Sequence, residues 1–381
     1  MPPHGAKIYY HTGLRAPTFS ASIDTFSSPK NLFNVLAVFT IFILSSTYEN
    51  PANAYEQKAV SDFHLELFLD ARLVYADNAR SWLDEELGKA RYGGDSLGDR
   101  RIYGQLAEAS ALASAKFGKS WFGHAHVKYD DEQDRALDIV EAFLSYRPVP
   151  TSEYRFKALV GAFFPPISME HEDIAWTSPY TITPSAINSW VGEELRTVGV
   201  EGTIEQVTDD QQWSFSTAVF WANDPAGTLL AWRGWALHDH KVGLFSNVPL
   251  PALPVIGPSG KLSDQEQQAE PFQELDGRPG FYTAFRWEES NIGELRLLYY
   301  NNLGDEVTLE NGQYAWHTRF ANIGARLYEF AGMELTTQAM WGNTRMGRVN
   351  GVDVDFLAAY VMFFKRFKRD HVALRFDYFK V

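Results

Sequence analysis

The sequence predicts an all-β fold, a transmembrane antiparallel up-and-down β-barrel of about 14–16 strands that lacks its final strand or strands. Three observations carry that reading. An export signal precedes the bulk of the chain, period-two alternation of apolar and charged residues recurs in segment after segment, and no apolar run beyond residue 60 reaches the ~20 residues a membrane helix requires.

The export signal is read first. Leu32–Leu44 (LFNVLAVFTIFIL) is a short apolar run, preceded by Lys30 and followed by Ala52-Asn53-Ala54. A basic residue, an apolar core and an A-x-A site describe a signal peptide cleaved after Ala54. Residues 1–54 are therefore expected to be an N-terminal extension and signal peptide, and 55–381 the barrel. The stretch 1–28 fits no part of a signal peptide and suggests a start codon further downstream.

The alternation is clearest in the first segment. Leu65, Leu67, Leu69, Ala71, Leu73 and Tyr75 fall on one face, with Glu66, Asp70 and Arg72 on the other. Successive side chains of a strand point to opposite faces, so one face suits lipid and the other water. Val140, Ala142, Leu144 and Tyr146 oppose Glu141, Ser145 and Arg147. Phe156, Ala158, Val160 and Ala162 oppose Arg155 and Lys157, and Val372, Leu374, Phe376 and Tyr378 oppose Arg375 and Asp377. Aromatic residues near segment ends (Tyr75, Tyr129, Tyr146, Trp287, Tyr360) are expected to form interfacial girdles. A soluble β-sandwich also alternates, but it does not keep Arg, Lys and Glu at mid-strand through so many successive segments.

Strands are expected near 62–76, 102–117, 120–130, 136–147, 153–164, 196–206, 212–222, 228–239, 281–289, 293–302, 313–328, 334–344, 353–365 and 371–379. Short and long linkers alternate in the first half, as periplasmic turns and surface loops do. After 239 the rhythm fails unless a further strand lies at Val242–Val248. That addition makes the count odd, and Phe379 is followed by Lys380 and Val381 rather than ending the chain, so the closing strand is expected to be missing.

Composition excludes several functions. Acidic residues outnumber basic ones 48 to 34, which leaves no basic face for nucleic acid. There is no cysteine, so disulfides, thiolate zinc sites and thiol catalysis are out. The chain holds 27 Phe, 18 Tyr and 11 Trp at a mean hydropathy of −0.26, a combination suited to amphipathic strands and unsuited to membrane helices.

Three stretches, Trp176–Gly202 (WTSPYTITPSAINSWVGEELRTVGVEG), Asn223–Asp239 (NDPAGTLLAWRGWALHD) and Pro271–Tyr282 (PFQELDGRPGFY), together resemble a group of porin-like Gram-negative outer-membrane proteins loosely akin to the phosphate-selective porins O and P. The likeness spans most of the chain after Ala54. It implies a barrel in the outer membrane and carries no catalytic residue with it. Members of that group continue past the point where this chain stops.

The pore-lining candidates are the mid-strand charges on the non-apolar faces: Glu66, Asp70, Arg72, Glu141, Arg147, Arg155, Lys157, Arg296, Arg319 and Arg375. Rings of such charges set the selectivity of a channel, and these suggest a basic inner wall with acidic loops. The long segment 165–196 is the main constriction candidate, with Trp176, Tyr180, Trp190, Glu193 and Glu194 in it. Ser185–Leu195 is expected to form a short helix capped by Ser185 or Asn188. The Pro-rich 249–258 stretch with the acidic 264–276 run is a second candidate. The H-x-H pairs His124/His126 and His238/His240 could each offer two imidazoles to a metal, although polar lining is the plainer account. No spacing singles out a Ser–His–acid triad.

The function expected from these residues is passive diffusion of small hydrophilic or ionic solutes through the outer membrane, by a non-enzyme with no cofactor. Its partners would be membrane lipid and lipopolysaccharide, solutes, no nucleic acid, and compatibly a second copy of the chain. A lipid-hydrolysing barrel enzyme and a soluble glycan-binding β-protein are the competing readings.

Overall fold

A computed structural model describes residues 21–22, 36–41, 63–348, 351–368 and 370–381. Thirteen long strands form the wall: β1 Phe63–Ala76, β2 Arg101–Phe117, β3 Trp121–Tyr129, β4 Leu137–Tyr146, β5 Tyr154–Phe163, β6 Thr197–Val207, β7 Gln211–Trp221, β8 Gly280–Glu289, β9 Gly293–Asn301, β10 His317–Phe330, β11 Met333–Met346, β12 Val352–Phe367 and β13 Asp370–Lys380. Each pairs antiparallel with its sequence neighbour, which is up-and-down topology. Leu36–Ile41 adds to the outer edge of β1 opposite Ala71–Tyr75, and Ala21–Ser22 pairs with it in turn. The proposed cleavage site at 52–54 lies outside the described residues. The sheet is not closed, since no strand among the described residues hydrogen-bonds the free edge of β13.

The pleat decides what each face carries. On β1 the Leu residues point out, with Leu67 71% exposed, while Asp70, Arg72 and Val74 are buried inside. Leu144, Val160 and Leu374 are likewise exposed on the outside. Outward aromatics mark two levels. Trp213 and Trp221 bound the outer face of β7, about 27 Å apart along a strand rising ~3.4 Å per residue. That separation matches an apolar band of membrane height.

Turns of two or three residues at 118–120, 208–210, 290–292 and 331–332 lie at one end, and every long connection lies at the other. Val381 is at the long-loop end as well, where Lys380 accepts a hydrogen bond from the Trp235 indole at 2.9 Å.

Four expectations are corrected here. Residues 228–239 are not a strand: Thr228–Trp232 is a short helix, α2, and Leu229, Leu230, Trp232, Trp235 and Ala236 are buried. A segment apolar on all sides has no lipid-facing half, so it folds into the interior. No strand of the wall forms at Val242–Val248 either, so 222–279 is one long connection and the short–long rhythm holds throughout. Tyr360 faces inward and is buried, because it shares the parity of Phe356, Ala358 and Met362 on β12. Val140 also turns inward, since a bulge between β3 and β4 leaves it unpaired between Ile139 and Glu141.

Candidate functional site: a filled lumen

Two long connections fold back into the space behind the wall. The first, 164–196, carries the helix α1, Ala186–Glu194, every residue of which is buried. Ser185 caps it by accepting from the Asn188 amide, as its sequence signature promised. The second, 222–279, carries α2 and then runs through His238, Asp239, His240 and Lys241, all but Asp239 fully buried.

The interior has two unlike halves. In one, Ile187, Trp190, Val191 and Leu195 of the first segment pack on inward side chains of β7 to β12, including Phe220, Tyr300, Phe320, Met340 and Phe356. Trp190 meets Phe320 and Phe356 edge-on, each at 5.5 Å between ring centroids. Nearer the tight turns the same strands turn Arg296 and Arg326 inward.

The other half is ionic. Arg72 of β1 pairs with Asp70 beside it and with Asp239 of the second segment. Arg91, from the 77–100 loop, contacts Asp130 at 3.0 Å, Glu132 at 2.7 Å and Asp239 at 3.4 Å. Lys128 reaches Asp130 at 3.2 Å, and Lys241 reaches Glu108 at 2.5 Å. Burial would raise the Asp239 carboxyl, but Arg72 and Arg91 outweigh it and hold Asp239 well below the usual range. His240 is pushed down to about 4, by burial first and then by the Lys128 charge. Segment 233–241 also braces the first strand to the last, since Asp239 holds Arg72 on β1 and Trp235 holds Lys380 on β13.

A buried joint ties the two segments together. Arg233 donates two bonds to Glu193, 2.8 and 2.7 Å, and His238 Nε2 lies 3.1 Å from the same carboxylate. Burial opposes the charge on Glu193, yet Arg233 and His238 bring it down to about 2. Glu194 next to it pairs with no cation among the described residues. Burial pushes it up to about 7, although the amides of Leu229 and Gly227 and the Trp190 indole donate to it. Gly227, where α2 starts, has φ +104°, and a Cβ there would lie 2.0 Å from Thr344 Oγ1. Only glycine fits this approach.

The pore-lining candidates divide as follows. Asp70, Arg72, Glu141, Arg155, Lys157, Arg296 and Arg375 lie on inward positions of their strands. Arg147, just past β4, pairs with Glu205 at 3.0 Å, and Glu66 stays half-exposed near the tight-turn end beside His64. Arg296 and Arg375 hold the first segment: Arg296 donates to the Ser168 carbonyl, and Arg375 to the Pro184 carbonyl at 2.9 Å and to Glu170 at 3.2 Å. Arg319 is the error. It lies outside, because it shares its face with Ala321, Ile323, Ala325 and Leu327. The inward arginine of β10 is Arg326, bonded to Glu172 and to the Met169 carbonyl.

All five constriction candidates are inside. Trp176 stacks between Phe164 at 3.9 Å and His171 at 3.5 Å. Tyr180 donates to Glu172 at 2.7 Å, and Trp190, Glu193 and Glu194 are fully buried. The second candidate stretch pairs Val248–Pro249 with Gln268–Ala269, and Leu250 and Ile256 pack with Trp82 and Trp316 over the long-loop mouth. A basic wall facing acidic loops is corrected too, since Asp70 and Glu108 belong to the wall and Arg91 and Lys241 to the loops.

Neither H-x-H pair converges on one point. His124 and His126 bond separately to Ser114 and Ser110, both at 3.0 Å, and His238 and His240 turn to different carboxylates. Ser110 donates to Glu108 at 2.6 Å, so its proton is directed away from His126. Ser168 contacts His171 at 2.8 Å while also accepting the amides of Glu170 and His171, the arrangement of a turn cap.

Arg91, Asp239, Lys241, Arg233 and Glu170 were not anticipated. Their signal is faint, because loop charges have no period to reveal which side they face.

An apolar outer face, a charged inner face and up-and-down antiparallel pairing define the class as a membrane-spanning β-barrel protein of the outer-membrane type. No family model matches the chain, and no curated protein matches it. Solved structures similar to it include a loop L8 deletion mutant of OmpT, an outer membrane protein of Vibrio cholerae, with 10% identity over 84% of this chain and 94% of that one at a TM-score of 0.38. Salmonella typhi OmpF in complex with daunomycin shares 13% identity over 82% of this chain and 89% of that one, at a TM-score of 0.32. Likenesses this distant carry no argument, and the class stands on the sheet itself.

Proposed function

We propose that the protein is a porin-like diffusion channel of the outer membrane for small hydrophilic or ionic solutes, narrowed by the two segments folded into its lumen. The observation that carries this reading is the ionic half of the interior. A wall built only to hold a plug could be apolar, as β7 to β12 are around Trp190. Here, instead, charges of both signs from β1 to β3 meet loop charges across a boundary that ions or polar solutes could share. Acidic and basic groups are mixed there, which favours small charged solutes over a single sign. The likeness to phosphate-selective porins rests on the three sequence stretches alone. Lipid and solutes are the expected partners. The test is single-channel recording in a planar bilayer: discrete steps of steady conductance are expected, and a membrane left silent by well-inserted protein would overturn the reading.

A further inference from the structure

At the long-loop mouth, where the end of β13 meets the second lumenal segment, a cavity of about 350 Å³ opens to solvent. Leu230, Trp232 and Trp235 of the segment and Phe379 of β13 supply its apolar lining, and Lys89 of the 77–100 loop joins them. The volume is that of a pocket for a small organic molecule.

The charges around the cavity have one sign. Lys89, Arg233 and Lys380 line it, and among the described residues no acidic side chain does. Two of these cations are directed elsewhere. Arg233 gives both terminal nitrogens to Glu193, and Lys380 has the outward parity of Phe376 and Tyr378. Lys89 is different. Its Nζ donates to the Arg233 carbonyl at 2.8 Å, and no carboxylate among the described residues reaches it. Lys128 and Lys241 each have one, at 3.2 and 2.5 Å. Burial opposes the Lys89 charge, the Arg233 charge opposes it further, and together they bring it down to about 8. The space beside it is open. A Cβ on Gly234 would stand 3.5 Å from the Lys89 Nζ, and glycine puts nothing there.

We infer that this cavity binds a small aromatic carboxylate, with the carboxylate on the Lys89 ammonium and the ring against Trp232, Trp235 and Phe379. The lining selects this class. A half-buried ammonium with no carboxylate of its own gains from an anion and repels an ammonium ligand. Three aromatic side chains and Leu230 give apolar contact to a ring, which acetate and inorganic phosphate lack.

The site names a solute class for the channel and in that role rests on the channel reading, but its occupancy is measured at equilibrium, apart from conductance. The protein in detergent is titrated calorimetrically, against empty micelles, with benzoate, acetate, inorganic phosphate or benzylamine. Benzoate should bind about tenfold more tightly than acetate or phosphate, and benzylamine should give no heat of binding. Lys89→Met should lower benzoate affinity about tenfold while leaving heat-modifiable migration unchanged, and Lys89→Arg should keep most of it. Phe379→Ala should bring benzoate down to the level of acetate. Benzoate without affinity, any of the other three ligands equal to it, or a Lys89→Met protein with undiminished affinity would overturn the site and leave the conductance test untouched. A silent bilayer from protein that binds benzoate would overturn the channel and leave the site.

Discussion

The two halves of the lumen hold the same plug by different physics. On the side of β7 to β12, α1 is packed through Trp190, Ile187 and Val191 into an aromatic wall. On the side of β1 to β3, residues 239–241 and Arg91 are held by charge. Apolar packing is indifferent to ions, whereas an ion pair that solvent reaches, as it reaches the partly exposed Asp239, is open to competition from them. Under the proposed channel reading, a solute that must pass a filled lumen would be admitted along the ionic face, where its own charges can replace those of the protein. The apolar face serves as the anchor.

That contrast can be broken from either side. Trp190→Ala empties the centre of the apolar half and should cost about 3–5 kcal/mol of stability. The midpoint of heat-modifiable migration should fall equally at low and high salt. Asp239→Asn leaves Arg72 and Arg91 short of a carboxylate on the ionic half and should cost about 2–3 kcal/mol. Its melting deficit should shrink as salt rises, because chloride screens the two guanidinium groups. A salt-sensitive Trp190→Ala or a salt-blind Asp239→Asn would erase the distinction between the halves.

The joint between the segments gives two smaller effects. Gly227→Ala forces a Cβ against Thr344 and a left-handed backbone, and should cost about 1–2 kcal/mol. Thr344→Ala in the same chain should restore part of the loss, which a refolding or melting series would show. Glu194 supplies the pH dependence. Its carboxyl is raised to about 7 in the fold by burial, against an ordinary value of 4.5. The protonated form is thus the favoured one in the folded protein. The stability it contributes is complete below pH 4.5 and is lost as pH rises through about 7. Trp190 fluorescence should report a tighter joint at pH 5 than at pH 8, and Glu194→Gln should flatten the difference.

Thirteen strands could be read from the sequence because lipid and charge leave a period of two. β1 shows it plainly, with four Leu residues against Asp70 and Arg72 outlining both faces. The reading failed where that contrast vanishes. On β12, Phe356, Tyr360 and Met362 inside oppose Leu357 and Val361 outside, so Tyr360 was assigned to the wrong face. Residues 228–239 failed for the same reason, as neither parity is polar. Arg319 failed because a charge was taken as inward without weighing the four apolar residues that share its face. Of the lumenal segments, α1 was legible from Ser185 and its long flanking loop. The ionic residues of 233–241 were not, because Asp239, His240 and Lys241 find their partners more than a hundred residues away in sequence and Arg233 finds its own forty away.

The most direct test is the reversal potential of the reconstituted channel in a potassium chloride gradient, compared between wild type, Arg91→Glu and Met340→Gln. If ions follow the ionic half, Arg91→Glu should move the reversal potential toward the potassium equilibrium value, while Met340→Gln on the apolar wall leaves it in place. A shift produced by Met340→Gln and absent from Arg91→Glu would contradict the account.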